Sequence, residues 1–99
     1  MIKPINLFKT IETNQSGIKG LGVKRIGIFG SHARRQEKKH SDVDVLVDFY
    51  PGKKTFDNYV ELKELLTKIF GRPVDLVTRQ AIKPLIKNVI LKEVRYAKL

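Results

Sequence analysis

The segment that most restricts the fold of this 99-residue chain is Asp42-Val43-Asp44-Val45-Leu46-Val47-Asp48-Phe49. An apolar side chain at every second position is the period of a β-strand, whose successive residues point to opposite faces. Val43, Val45, Val47 and Phe49 then share the core face, while Asp42 and Asp44 share the other.

Other elements can be placed around it. Ile5, Phe8 and Ile11 have a weak helical spacing over residues 4–15, and Ser16, Gly17, Gly20 and Gly22 mark residues 16–22 as loop. Val23 to Phe29 reads as a strand that ends at Gly30-Ser31. A short helix over about 31–37 has Ser31 as its N-cap, and Glu37 to Ser41 is a charged loop. Pro51-Gly52 breaks the chain. Thr55 opens an amphipathic helix carrying Phe56, Tyr59, Leu62, Leu66, Ile69 and Phe70, stopped by Gly71. Pro73 opens a third strand, Val74 to Thr78. Pro84 suits the first turn of a last helix, with Leu85, Ile86, Val89 and Ile90 as its apolar stripe.

Three strands and four helices predict one small α/β (α+β) layered domain over residues 1–99. The helix expected between the first two strands is too short for a parallel crossover, so the sheet should be mixed. A domain of this size has a modest core, and a partner chain is one way to cover leftover apolar surface.

Composition excludes several chemistries. There is no cysteine, hence no disulfide, thiolate metal site or thiol nucleophile. No apolar run has the length of a membrane span, and a soluble cytoplasmic protein is expected. His32 and His40 are the only histidines and lack partners at zinc spacing. A Gly-x-Ser-x-Gly elbow is missing, and the glycine spacing of Gly17 and Gly22 is followed by Val23 where a P-loop has lysine. Lys and Arg total 20 against 10 Asp and Glu, a formal charge of +10 that points to an anionic partner or simply to a solvated basic surface.

Against that basic background the clustered carboxylates stand out. Asp42 and Asp44, two apart on a strand, have Cα atoms about 6.5–7 Å from each other and point the same way. A divalent cation would remove their repulsion, and an all-oxygen donor set of this kind suits Mg2+. Taken alone, the pair is better accounted for as an exposed acidic strand face. Eleven residues earlier, Gly30 permits close backbone approach, and Ser31 at a helix start offers a hydroxyl beside free N–H groups. Arg34, in the first turn, can reach the same phosphate oxygens. Asp75, in Val74-Asp75-Leu76-Val77, completes a three-carboxylate cluster if its strand neighbours the 42–49 strand. There it could bind metal or accept a proton from an attacking hydroxyl.

Gly30-Ser31-His32-Ala33-Arg34, Ser41-Asp42-Val43-Asp44-Val45-Leu46-Val47-Asp48-Phe49 and Val74-Asp75-Leu76-Val77 together resemble the minimal nucleotidyltransferases of the DNA polymerase β-like superfamily. The tail from Lys83-Pro84-Leu85 through Glu93-Val94-Arg95-Tyr96-Ala97 is similar to that family's C-terminal helix. The resemblance implies Mg2+ on Asp42, Asp44 and Asp75, and nucleoside triphosphate phosphates on Gly30 and Ser31 with Arg34 assisting. It implies transfer of a nucleoside monophosphate, AMP from ATP, to a hydroxyl with release of pyrophosphate. It further implies an antitoxin whose acceptor is a tyrosine of a HEPN-domain toxin. One departure is Arg35, where the family often has Gly.

Two other functions compete. A non-catalytic antitoxin would neutralise its partner by binding alone, through apolar surface on the terminal helices. A nucleic-acid-binding module would use the positive charge, with Lys83, Lys87, Lys92 and Arg95 on the last helix, although no aromatic stacking platform accompanies them.

Overall fold

The alternating segment forms a strand (β2, Val43–Phe49) inside a mixed sheet. Its neighbours are β1 (Val23–Phe29), antiparallel to it, and β3 (Val74–Thr78), parallel to it. A fourth strand, β4 (Arg95–Tyr96), pairs antiparallel with β1. The sheet order is β3-β2-β1-β4. These relations come from a computed structural model that describes residues 6–30 and 42–99. The helix expected over about 31–37 and the charged loop from Glu37 to Ser41 lie outside the described residues.

The mixed sheet follows expectation, and the fourth strand adds to the three read from sequence. Two residues are too few to leave a period-two pattern, so β4 had no legible signal. Its docking depends on Gly27, whose added Cβ would lie 2.6 Å from Val94 Cγ2 and 3.0 Å from the Arg95 carbonyl oxygen. A side chain at position 27 would push the last strand off the sheet.

Helices cover the valine face of the sheet. The first helical region is two helices, α1 (Leu7–Thr13) and α2 (Gln15–Gly20). Asn6 caps α1, its side chain accepting from the Lys9 N–H at 3.1 Å. The expectation of loop over 16–22 is therefore corrected. Two glycines disfavour a helix there, but α2 places Ile18 fully in the core, and burial outweighs a propensity cost of about 1 kcal/mol per glycine. The long helix α3 (Phe56–Phe70) has Thr55 as its N-cap and Gly71, at φ +66°, as its left-handed stop. Leu62, Leu66 and Phe70, spaced four apart, are its buried stripe, while Phe56 at the start is exposed. These residues pack with Ile11, Ile18, Ile26, Ile28, Val43, Val45, Val47 and Leu76 as one core.

The opposite face of the sheet is also covered. Leu46 is buried there with Phe29, Ile82 and Ile90, beneath the last helix, α4 (Pro84–Glu93). β2 is thus apolar on both faces at its centre, and its aspartates sit only toward its ends. The stripe expected on α4 faces the wrong way for a core: Leu85 is 96% exposed, Ile86 and Val89 are exposed, and only Ile90 is buried. α4 packs through Ile90 and Leu91, close to where it meets β1. Among the described residues, no helix is long and apolar enough to cross a membrane.

This division gives a paired prediction for urea denaturation. Leu66→Ala should cost about 2–5 kcal/mol, the range for emptying a packed leucine site. Leu85→Ala should change stability by no more than about 0.5 kcal/mol, because the side chain has no packing to lose.

Candidate active site

One end of the sheet gathers the acidic residues. β1 ends there, β2 and β3 begin there, and strand polarity brings Gly30 beside Asp44 and Asp75. Asp44 pairs with Asp75 across the parallel β2–β3 register, and with Phe29 across the antiparallel β1–β2 register. In-register neighbours on adjacent strands point to the same face with Cα atoms about 5 Å apart. Asp44 is half-buried, and Asp75 is exposed. Asp42 stands just before β2 rather than within it, exposed, one pleat repeat from Asp44.

Gly30 makes this arrangement possible. It is buried with φ +73°, a conformation that side-chain-bearing residues adopt only at a cost. A Cβ at this position would land on Asp44 Oδ2 and lie 3.0 Å from Asp44 Cγ. The Asp44 carboxylate therefore rests against the Cα of Gly30. The predicted neighbours of this turn, Ser31 and Arg34, lie outside the described residues, as does Arg35.

Two carboxylates facing each other on adjacent strands repel unless a cation or a set of donors lies between them. Among the described residues no group of three Asp, Glu or His side chains is gathered at metal-holding distance. The donor chemistry nevertheless fits a hard cation: Asp44 and Asp75 oppose each other directly, and Asp42 lies one pleat away, all offering oxygen. The space that a side chain at Gly30 would fill is taken by the Asp44 carboxylate itself.

The comparisons with known proteins converge on one group. A family model described as Nucleotidyltransferase domain matches residues 8–97. The chain belongs to the nucleotidyltransferase domain family. A Methanocaldococcus jannaschii protein, MJ0435, provisionally named a protein adenylyltransferase, is 49% identical over 72 residues, 73% of this chain and 76% of that one. Protein adenylyltransferase MntA of Thermococcus cleftensis is 43% identical over 75 residues, 76% of this chain and 75% of that one. A toxin–antitoxin crystal structure with AMP-PNP superposes with a TM-score of 0.71 at 21% identity, covering 93% of this chain and 72% of that one, and so shares the fold.

Not every acidic residue of this nucleotidyltransferase belongs to the site. Asp48 accepts from Arg25 Nη2 at 2.9 Å, and Arg79 approaches the same oxygen at 4.0 Å. Arg25 and Asp48 are cross-strand partners, and the Arg25 guanidinium also lies 5.2 Å from the Tyr96 ring centre. Asp48 thus ties β2 to β1 and to the turn at Arg79–Ala81. A cleft of about 510 Å³ lined by Lys54, Thr55, Phe56, Tyr59, Leu76, Val77, Thr78 and Ala81 contains none of the expected site residues.

One residue at the site was missed in sequence. Glu93, the last residue of α4, accepts the Gly30 N–H on Oε1 at 2.9 Å. A signal was available: a carboxylate at a helix C-terminus opposes the helix dipole, so such a residue needs another reason to be there.

The close approach at Gly30 makes its replacement costly in two ways. Gly30→Ala should lower stability by about 1–3 kcal/mol from backbone strain alone. It should also displace the Asp44 carboxylate. Thermal unfolding would register the first effect, and titration with AMP-PNP and Mg2+ the second, as lost affinity.

Proposed function

We propose that this chain is a metal-dependent protein adenylyltransferase that transfers AMP from ATP to a hydroxyl of a partner protein. The acceptor proposed is a tyrosine of a HEPN-domain toxin, which makes the chain an antitoxin. The observation that carries the reading is the in-register opposition of Asp44 and Asp75 beside the cradle at Gly30. Membership of the nucleotidyltransferase family and the protein adenylyltransferases among its relatives support the choice of reaction. The toxin–antitoxin structure of the same fold, obtained with AMP-PNP, supports the choice of nucleotide and partner.

Asp42, Asp44 and Asp75 would hold Mg2+. Bound there, the ion supplies charge neutralisation for the phosphates and for the developing negative charge of the displacement. The turn at Gly30-Ser31, with Arg34, would hold the triphosphate beside the carboxylates. The acceptor oxygen attacks the α-phosphorus, a new phosphoester bond forms, and the bond to the bridging oxygen breaks. Pyrophosphate leaves with that bonding pair. The acceptor proton passes to a site carboxylate, a role open to the exposed Asp75.

Binding alone is a second reading, favoured by the outer face of α4. Leu85, Ile86 and Val89 are exposed there, among the exposed Lys83, Lys87 and Lys92. An apolar patch with a basic rim suits a toxin surface that is apolar with acidic neighbours.

Labelled ATP, Mg2+ and the toxin encoded beside this chain distinguish the two. Asp44→Asn and Asp75→Asn should each reduce label transfer by about 10²-fold or more, the scale of losing a general base or a preorganised charge clamp. Removal of Mg2+ with EDTA should abolish transfer by wild type. Full protection of cells by Asp44→Asn would favour neutralisation by binding.

A further inference from the structure

The mechanism proposed above has no use for Glu93, yet this carboxylate reaches the phosphate turn. Its Oε1 takes the N–H of Gly30, a buried residue, at 2.9 Å. That donor would otherwise be a buried amide with nothing to bond, which is costly in any fold. Gly30 is consequently gripped twice: Glu93 holds its N–H, and the Asp44 carboxylate lies against its Cα.

The height of Glu93 over the turn is set by the chain that follows it. Val94 N–H bonds back to the Ile90 carbonyl at 2.9 Å, closing α4. Arg95 and Tyr96 then pair with Ile28 and Gly27 of β1, and Ala97 N–H donates to the Ile26 carbonyl at 2.9 Å. The bare Cα of Gly27 lets Val94 and Arg95 lie flat against the strand. Residues 94–97 are therefore registered to the same strand that ends at Gly30. The carboxylate of residue 93 has little freedom to sit elsewhere.

We propose that Glu93 is a positioning residue of the nucleotide site: by binding the Gly30 N–H it fixes the peptide that opens the phosphate turn and holds it for the triphosphate. This rests on the nucleotidyltransferase reading of the site. It also revises the expected phosphate contacts, because the Gly30 amide is occupied by Glu93. A turn held in advance binds its ligand without spending affinity on ordering it.

Three proteins test this: wild type, Glu93→Ala and Glu93→Gln. Glutamine keeps an oxygen acceptor at the same reach, and alanine does not. Two measurements are made on each, hydrogen exchange at the Gly30 amide and the dissociation constant for Mg2+–AMP-PNP. Glu93→Ala should lose protection at Gly30 and weaken nucleotide binding about 10-fold, with KM for ATP rising more than kcat falls. Glu93→Gln should restore both to near wild type. A purely structural role would instead lower the melting temperature and leave the nucleotide affinity of the folded protein unchanged, which overturns the proposal. Equal Gly30 protection in all three proteins overturns it as well. If wild type binds no nucleotide, the positioning role falls together with the adenylyltransferase reading. Exchange at Gly30 that still distinguishes Ala from Gln would then show that only the hydrogen bond survives.

Discussion

The central strand β2 carries the constraint on which the rest depends. Its valines fill the core against α3, its Leu46 fills the second layer beneath α4, and its two neighbours run in opposite senses. With both faces committed, the strand cannot slide by one residue without turning its aspartates into the apolar layer under α3. The same commitment decides where acidic side chains are tolerated, which is only near the ends. At one end Asp48 is neutralised by Arg25 and Arg79. At the other end Asp44 meets Gly30 and Asp75. Chemistry and core are thus separated along one strand rather than across its two faces.

The antiparallel β1–β2 pair and the parallel β2–β3 pair each contribute something the other could not. The antiparallel pairing brings the end of β1 to the start of β2, so the glycine turn meets the Asp42–Asp44 segment. The parallel pairing, made through α3, aligns the start of β3 with the start of β2 and so matches Asp75 to Asp44. Reversing either sense would leave Gly30 or Asp75 at the wrong end of the sheet.

Much of this was legible in the sequence because it rests on short-range periodicity. The alternation at 42–49, the Thr55 cap and the Gly71 stop each act within a few residues. The Asp44–Asp75 proximity followed once the two strands were assumed to be neighbours. What escaped depends on tertiary context. α2 forms despite two glycines because Ile18 finds a buried place, which no local rule reveals. The stripe on α4 obeys helical spacing yet points outward, since periodicity identifies an apolar face but not what it faces. β4 was silent because its role exists only when the chain returns to β1, and Glu93 showed only as a carboxylate that opposes the dipole at a helix end. The placement of Ser31 and Arg34 rests on motif alone.

The hydrogen bond from Gly30 to Glu93 joins residues 63 apart in the chain. Helices and the β2–α3–β3 unit can form from segments already made while synthesis proceeds. The grip on Gly30 cannot, because its acceptor is added only after all three central strands have been synthesised. Closing long loops is slow relative to local folding. The hold on Gly30 is therefore among the last contacts the fold completes, made with the return of α4 and β4 to β1.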